Sequence, residues 1–164
     1  MSKHSDLSAA AAKAREKFDR NRETCLMIID RLPEALAAFL ECDPAFVTIH
    51  SPKVAPGPEN ACRAAEAAEL GSDHAWHFQL AVALGQSPDA LPRDVCVFAL
   101  SVGPLRLGFE LFLKGKHQKV VMGNPDEPKK AHDALFTIIS DLIRLKYHEE
   151  FLLYEPQVTR RPLP

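Results

Sequence analysis

The chain offers little on which to hang a known chemistry. It contains no G-x-x-x-x-G-K-[ST], no G-x-G-x-x-G, no G-x-S-x-G and no H-E-x-x-H, so ATP hydrolysis, dinucleotide binding and hydrolase chemistry lose their usual signatures. No apolar run approaches the roughly 20 residues that span a bilayer. The start, Met1-Ser-Lys-His-Ser-Asp6, has no apolar h-region, and no secretory signal is expected. Neither sign of charge dominates: a formal charge of −2 gives no whole-chain case for nucleic acid or an anionic membrane. The four cysteines, Cys25, Cys42, Cys62 and Cys96, form no C-x-x-C pair. They are expected to be reduced thiols in a cytoplasmic protein, and no cofactor or metal is implied.

What is present describes a globular domain. Apolar and charged fractions of 46% and 26% argue against extended disorder. Residues 1–5 read as loose and 6–155 as one α+β domain. Pro156 to Pro164 reads as a tail with Arg160-Arg161. Ser5 or Asp6 is expected to cap an alanine-rich helix with Phe18, Cys25, Ile28 or Ile29, and Leu32 on its apolar side. Its charges are mixed in sign along the chain, which predicts a solvated face. Pro33 predicts a break near Arg31 and a second helix from Pro33 to about Leu40. Phe46 to His50 reads as a short strand, and Glu59 to Leu70 as a helix stopped by Gly71. Asn124-Pro-Asp-Glu-Pro128 signals entry to a last helix, Lys129 to about Leu153, with Leu135, Ile138, Ile139, Leu142, Leu145 and Phe151 as its stripe.

The chain is organised around residues 75–122. Trp76, Phe78, Leu80, Val82 and Leu84 alternate with polar or small residues, as do Cys96, Phe98, Leu100 and Val102. Leu105, Leu107, Phe109 and Leu111 do the same. Side-chain period two puts each set on one face. A two-residue turn at Gly103-Pro104 pairs Val102 with Leu105, Leu100 with Leu107, Phe98 with Phe109 and Cys96 with Leu111. A second turn at Gly115-Lys116 pairs Leu113 with Gln118, Leu111 with Val120 and Phe109 with Met122. The expectation is a single antiparallel sheet of four to five strands, packed with a long N-terminal helix pair and a long C-terminal helix.

The opposite face then holds Val95, Val97, Ala99, Ser101, Arg106, Gly108, Glu110, Phe112, Lys119 and Val121, with His77, Gln79, Ala81 and Ala83. Its middle is too apolar for bare water, so either the N-terminal helix or a second subunit should cover it. Glu110 among valines is the candidate acid or base, with Arg106 and Lys119 near enough to neutralise it and His77 as a further catalytic candidate. Asp73-His74-Ala-Trp76-His77 gathers metal-capable side chains, too few for zinc. Lys114, Lys116, His117 and Lys119 make a basic hairpin able to touch phosphate, although without an aromatic platform beyond Phe112. Lysines there also guard a sheet edge.

The order of elements before the last helix resembles the NTF2-like fold, in which helices precede a curved sheet enclosing a pocket. That resemblance implies a small-pocket enzyme or ligand carrier with His77, Gln79, Arg106 and Glu110 pointing inward. The leading expectation is a non-enzymatic cytoplasmic protein acting through protein–protein contacts, its partner another protein or, as a homodimer, itself.

Overall fold

A computed structural model describes residues 2–89 and 94–153, without the side chains of residues 149–153. The elements run α1 (Lys3–Leu40), β1 (Val47–His50), α2 (Ala64–Ala67), β2 (Glu69–Leu70), β3 (Trp76–Leu84), β4 (Asp94–Pro104), β5 (Phe109–Leu113), β6 (Gln118–Met122) and α3 (Lys129–Leu153). The sheet is antiparallel, in the order β1-β3-β4-β5-β6, with β2 also on β3. The tail and Phe151's side chain lie outside the described residues.

The alternating residues form one core. Phe78, Leu80, Val82, Cys96, Phe98, Leu100, Val102, Leu111, Leu113, Val120 and Met122 meet Cys25, Ile28, Ile29, Leu32 and Leu36 of α1 and Leu135, Phe136 and Ile139 of α3. Both long helices therefore share one sheet face. Each fully buried Leu, Ile or Phe contributes about 1.5–3 kcal/mol relative to exposure. The helices also touch each other, with the Phe39 and Phe136 rings 5.7 Å apart.

The N-terminal helix is one element, not two. It starts at Lys3, earlier than expected, where the Ser2 hydroxyl accepts from the Ser5 N–H, and it runs through Pro33. A proline inside a helix costs about 3 kcal/mol, but Ile28, Ile29 and Leu32 before it and Leu36 and Ala37 after it are all buried in the same core. Breaking the helix would forfeit one of those sets. Glu59 to Leu70 is not a helix: only Ala64–Ala67 are α-helical, and Glu69 and Leu70 pair with His77 and Trp76. The Asp30 carboxylate accepts from the Ala64 N–H at 2.8 Å, anchoring this short helix to α1.

The second turn has the expected register, with Phe109 opposite Met122 and Leu113 opposite Gln118. The first does not. Val102 faces Leu111 and Leu100 faces Leu113, and the turn centres on Arg106 and Leu107, closed by the Leu105 N–H donating to the Gly108 carbonyl at 2.9 Å. The register slips by an even number of residues, so every side chain keeps its face. Alternation fixes the face but leaves even slips free, and here the turn chemistry decides. Gly108 has φ +97°, and a Cβ there would sit 2.3 Å from the Met122 carbonyl oxygen. Gly103 lies inside β4 instead. Gly108→Ala should therefore lower stability by about 2 kcal/mol, read as a shift in urea midpoint. An unchanged midpoint would place the turn elsewhere.

Candidate binding surface

The second sheet face carries neither long helix. Thr48 and His50 of β1 stand beside Ala81 and Gln79 of β3, and His77 faces Ser101 of β4. Ser101 is followed across the sheet by Phe112, then Lys119; Gly103 by Glu110, then Val121. Of the two covers expected, the N-terminal helix is not on this face, because that helix spends its apolar stripe on the other. The inward pocket implied by the NTF2-like element order is not built either. Helices pack against the face opposite His77, Gln79 and Glu110, and Arg106 stands in the turn beyond the strands.

At the β1 and β2 end this face is polar and internally bonded. His50 is 1% exposed. Its Nδ1–H donates to the Asn60 carbonyl at 3.1 Å, which leaves Nε2 to accept from the Thr48 hydroxyl at 2.7 Å. Burial pushes the His50 pKa below the ordinary 6.5, with Asn60 and Glu59 opposing. Glu69 receives the Ser51 hydroxyl at 3.2 Å and the Lys53 ammonium at 2.9 Å, and these contacts, Lys53 first, hold its carboxyl below the usual range. His77 Nε2 lies 2.8 Å from Asp73 Oδ1, and His77 Nδ1 is buried without a hydrogen-bond partner. The loop makes room for that pair with Gly71, whose Cβ would fall 2.3 Å from His77 Nε2 and 2.5 Å from Asp73 Oδ1. His74, at φ 62°, turns in the connection before the strand. Among the described residues no three His, Cys, Asp or Glu side chains gather as a metal site.

At the β5 and β6 end the face is open. Glu110 is partly exposed and paired with Lys119 at 3.4 Å. Opposite Gly103 and Val121, rather than Val97, it sits near the sheet margin. Val97 and Val121 are 43% and 59% exposed. Lys114 to Lys116 form a single 3-10 turn closed by His117 at φ 51°. Lys119 serves both Glu110 and the Phe112 ring, which lies 5.7 Å away. The basic hairpin is thus divided, with Lys119 drawn onto the sheet face. The polar cluster at the other end depends on pairings of β1 and β2 with β3 that no local pattern announced.

No protein-family model matches this chain, and neither a curated protein nor a solved structure matches it.

Two measurements probe the polar end. The sign for His50 follows from its lowered pKa: the unfolded chain binds the proton first, so stability is full above about pH 7 and falls as pH drops through 6.5 toward the lower folded value. His132, also pushed down by burial, adds in the same direction. Urea midpoints between about pH 7.5 and 5.5 should fall, and His50→Gln should flatten that slope. Equal slopes would show that His50 titrates as in the unfolded chain. Gly71→Ala should lower stability by about 1–2 kcal/mol, and Asp73→Ala with His77→Ala in the same background should remove most of that cost. A cost that persists in the triple variant would remove the pair as its cause.

Proposed function

We propose that this chain is a non-enzymatic binding protein of the cytoplasm that acts through protein–protein contacts and pairs with a second copy of itself. The observation that carries the reading is the sheet face left free of helix, which exposes Val97 beside small Ala99 on β4 and, two strands across and further along, Val121 beside Glu110. Apolar side chains left exposed on a sheet face that no helix covers are a usual mark of an interaction surface. The second copy is favoured because the face carries both signs in opposed pairs, Glu110 with Lys119 and Lys53 with Glu69. A two-fold interface must be self-complementary, and such pairs can be exchanged across the axis. The cytoplasmic assignment is supported by the four free thiols. Burial pushes the Cys25 thiol up to about 12, so it behaves as a small core hydrophobe with no nucleophilic role.

Light scattering at micromolar concentration should give twice the chain mass. Val121→Asp should reduce it to one chain with an unchanged circular dichroism spectrum, its urea midpoint falling only by the stabilisation that association supplies and no longer varying with protein concentration. Glu110→Lys should weaken the dimer, and Glu110→Lys with Lys119→Glu should restore it. A monomer in the unaltered protein would overturn the reading.

A further inference from the structure

Helix α1 is longer than the body it packs on. Its 38 residues extend about 57 Å at 1.5 Å per residue, and its buried side chains begin only at Cys25. Every residue from Lys3 to Arg20 is exposed. This arm of the helix leaves the body where Arg22 lies 5.9 Å over the Trp76 ring.

The stripe that enters the core does not stop there. Leu7, Ala11, Ala14, Phe18, Asn21, Cys25, Ile28 and Leu32 follow one another in alternating steps of four and three, the spacing of a seam made to meet another helix. Its inner part is filled by the sheet and α3, whereas Leu7 and Phe18 are 71% and 47% exposed.

Charge is sorted around this stripe although it is mixed along the sequence. At about 100° per residue, Lys3, Arg15, Lys17 and Arg22 fall within a quarter-turn of the stripe's centre. Asp6, Glu16, Asp19 and Glu23 fall outside it, as do two bases, Lys13 and Arg20, the latter paired with Glu16 on the far side at 2.9 Å. We infer that the exposed seam of α1 binds an acidic amphipathic helix of a different protein.

Three physical points select that occupant. A second copy would set Arg15, Lys17 and Arg22 against their own equivalents in either helix orientation, and flanking charges of one sign discriminate against self-pairing. A membrane is disfavoured because the stripe offers only Leu7 and Phe18 as large apolar groups, while surface helices hold to lipid by buried apolar area. Ala11 and Ala14 leave room for a partner backbone to approach closely, and acidic flanks on that partner would meet the basic ones.

The probe is a designed amphipathic peptide with leucine on its seam and glutamate on both flanks, beside a counterpart carrying lysine flanks. Titration of the full chain should show binding of the glutamate peptide only, weakening roughly tenfold or more when salt rises from about 0.05 M to 0.5 M. Arg15→Glu with Lys17→Glu should reverse the preference, and Phe18→Ser should weaken the glutamate peptide at least tenfold. These positions are exposed, so an unchanged circular dichroism spectrum and urea midpoint certify the variants. Val121→Asp should leave peptide binding intact, which separates this surface from the sheet-face dimer. The inference is overturned if neither peptide binds or both bind alike. It is also overturned if vesicles of phosphatidylserine and phosphatidylcholine bind the chain while the glutamate peptide does not, or if Phe18→Ser halves the mass of the unaltered protein.

Discussion

Everything in this fold depends on one-sided burial. Two long helices lie on a single face of an antiparallel sheet, and the core is the layer between them. Leu32 and Leu36 from α1, Leu135 and Ile139 from α3, and Phe78, Leu80, Leu100 and Leu111 from the strands are all closed to solvent. A sheet normally hides each apolar face or makes it polar. Here the apolar face takes both helices, and the other receives neither: the loop that brings the Asn60 carbonyl to His50 closes its β1 end, while Val97 and Val121 stay exposed. The same constraint explains why α1 tolerates Pro33: the helix is held on both sides of it by the layer it covers. It also explains the small α2, whose Ala64 N–H is tied to Asp30 rather than to an earlier turn of its own.

The parts of this arrangement that a linear reading recovers are those with a short period. Faces of β3 to β6 follow from alternation, and the β5–β6 register follows from the Lys114–His117 turn. Alternation is blind to even slips, and Gly103-Pro104 looks as suitable a β4–β5 turn as Arg106-Leu107. Only the close approach of Gly108 to Met122 distinguishes them, and that is a cross-strand fact. Pro33 and the Glu59–Leu70 stretch fail for the opposite reason: local propensity there is overruled by tertiary packing. One consequence of the true register is that β4 from Val95 to Ala99 has β3 on one side and, among the described residues, no strand on the other. Lys146, 3.5 Å from Asp94, places a charge beside that edge, as unpaired strands require.

The candidate site was legible in part. Glu110, Lys119, Phe112 and Val121 were placed on the second face correctly, since face assignment survives the slip. Arg106 was carried off into the turn by that same slip. The Thr48–His50–Asn60 and Ser51–Glu69–Lys53 contacts were invisible because they join segments whose order in the sheet is not written in any period. His50 shows how such a group is tolerated: both ring nitrogens are used, so its burial lowers its affinity for a proton without leaving an orphaned donor.

The two open surfaces differ in a way that separates their partners. The sheet face has acid and base side by side, and a face of that kind can match its own image. The arm of α1 has only bases beside its seam, with every acid behind it among Lys13 and Arg20, and such a seam repels its image. Read along the chain, the arm's charges look evenly mixed, and the inference of a solvated face follows naturally. Wound at 3.6 residues per turn they separate, because Arg15 and Arg22 follow, and Lys17 precedes, a seam residue on the side that turns toward its neighbour one turn away, whereas Glu16, Asp19 and Glu23 fall behind it. The arm also departs at the end of the sheet where β3 begins and β4 ends, the end that carries the Leu105–Gly108 turn. Leu107 there is 84% exposed and Arg106 stands beside it. The slip that takes Arg106 off the sheet face leaves it exposed at that same end of the molecule.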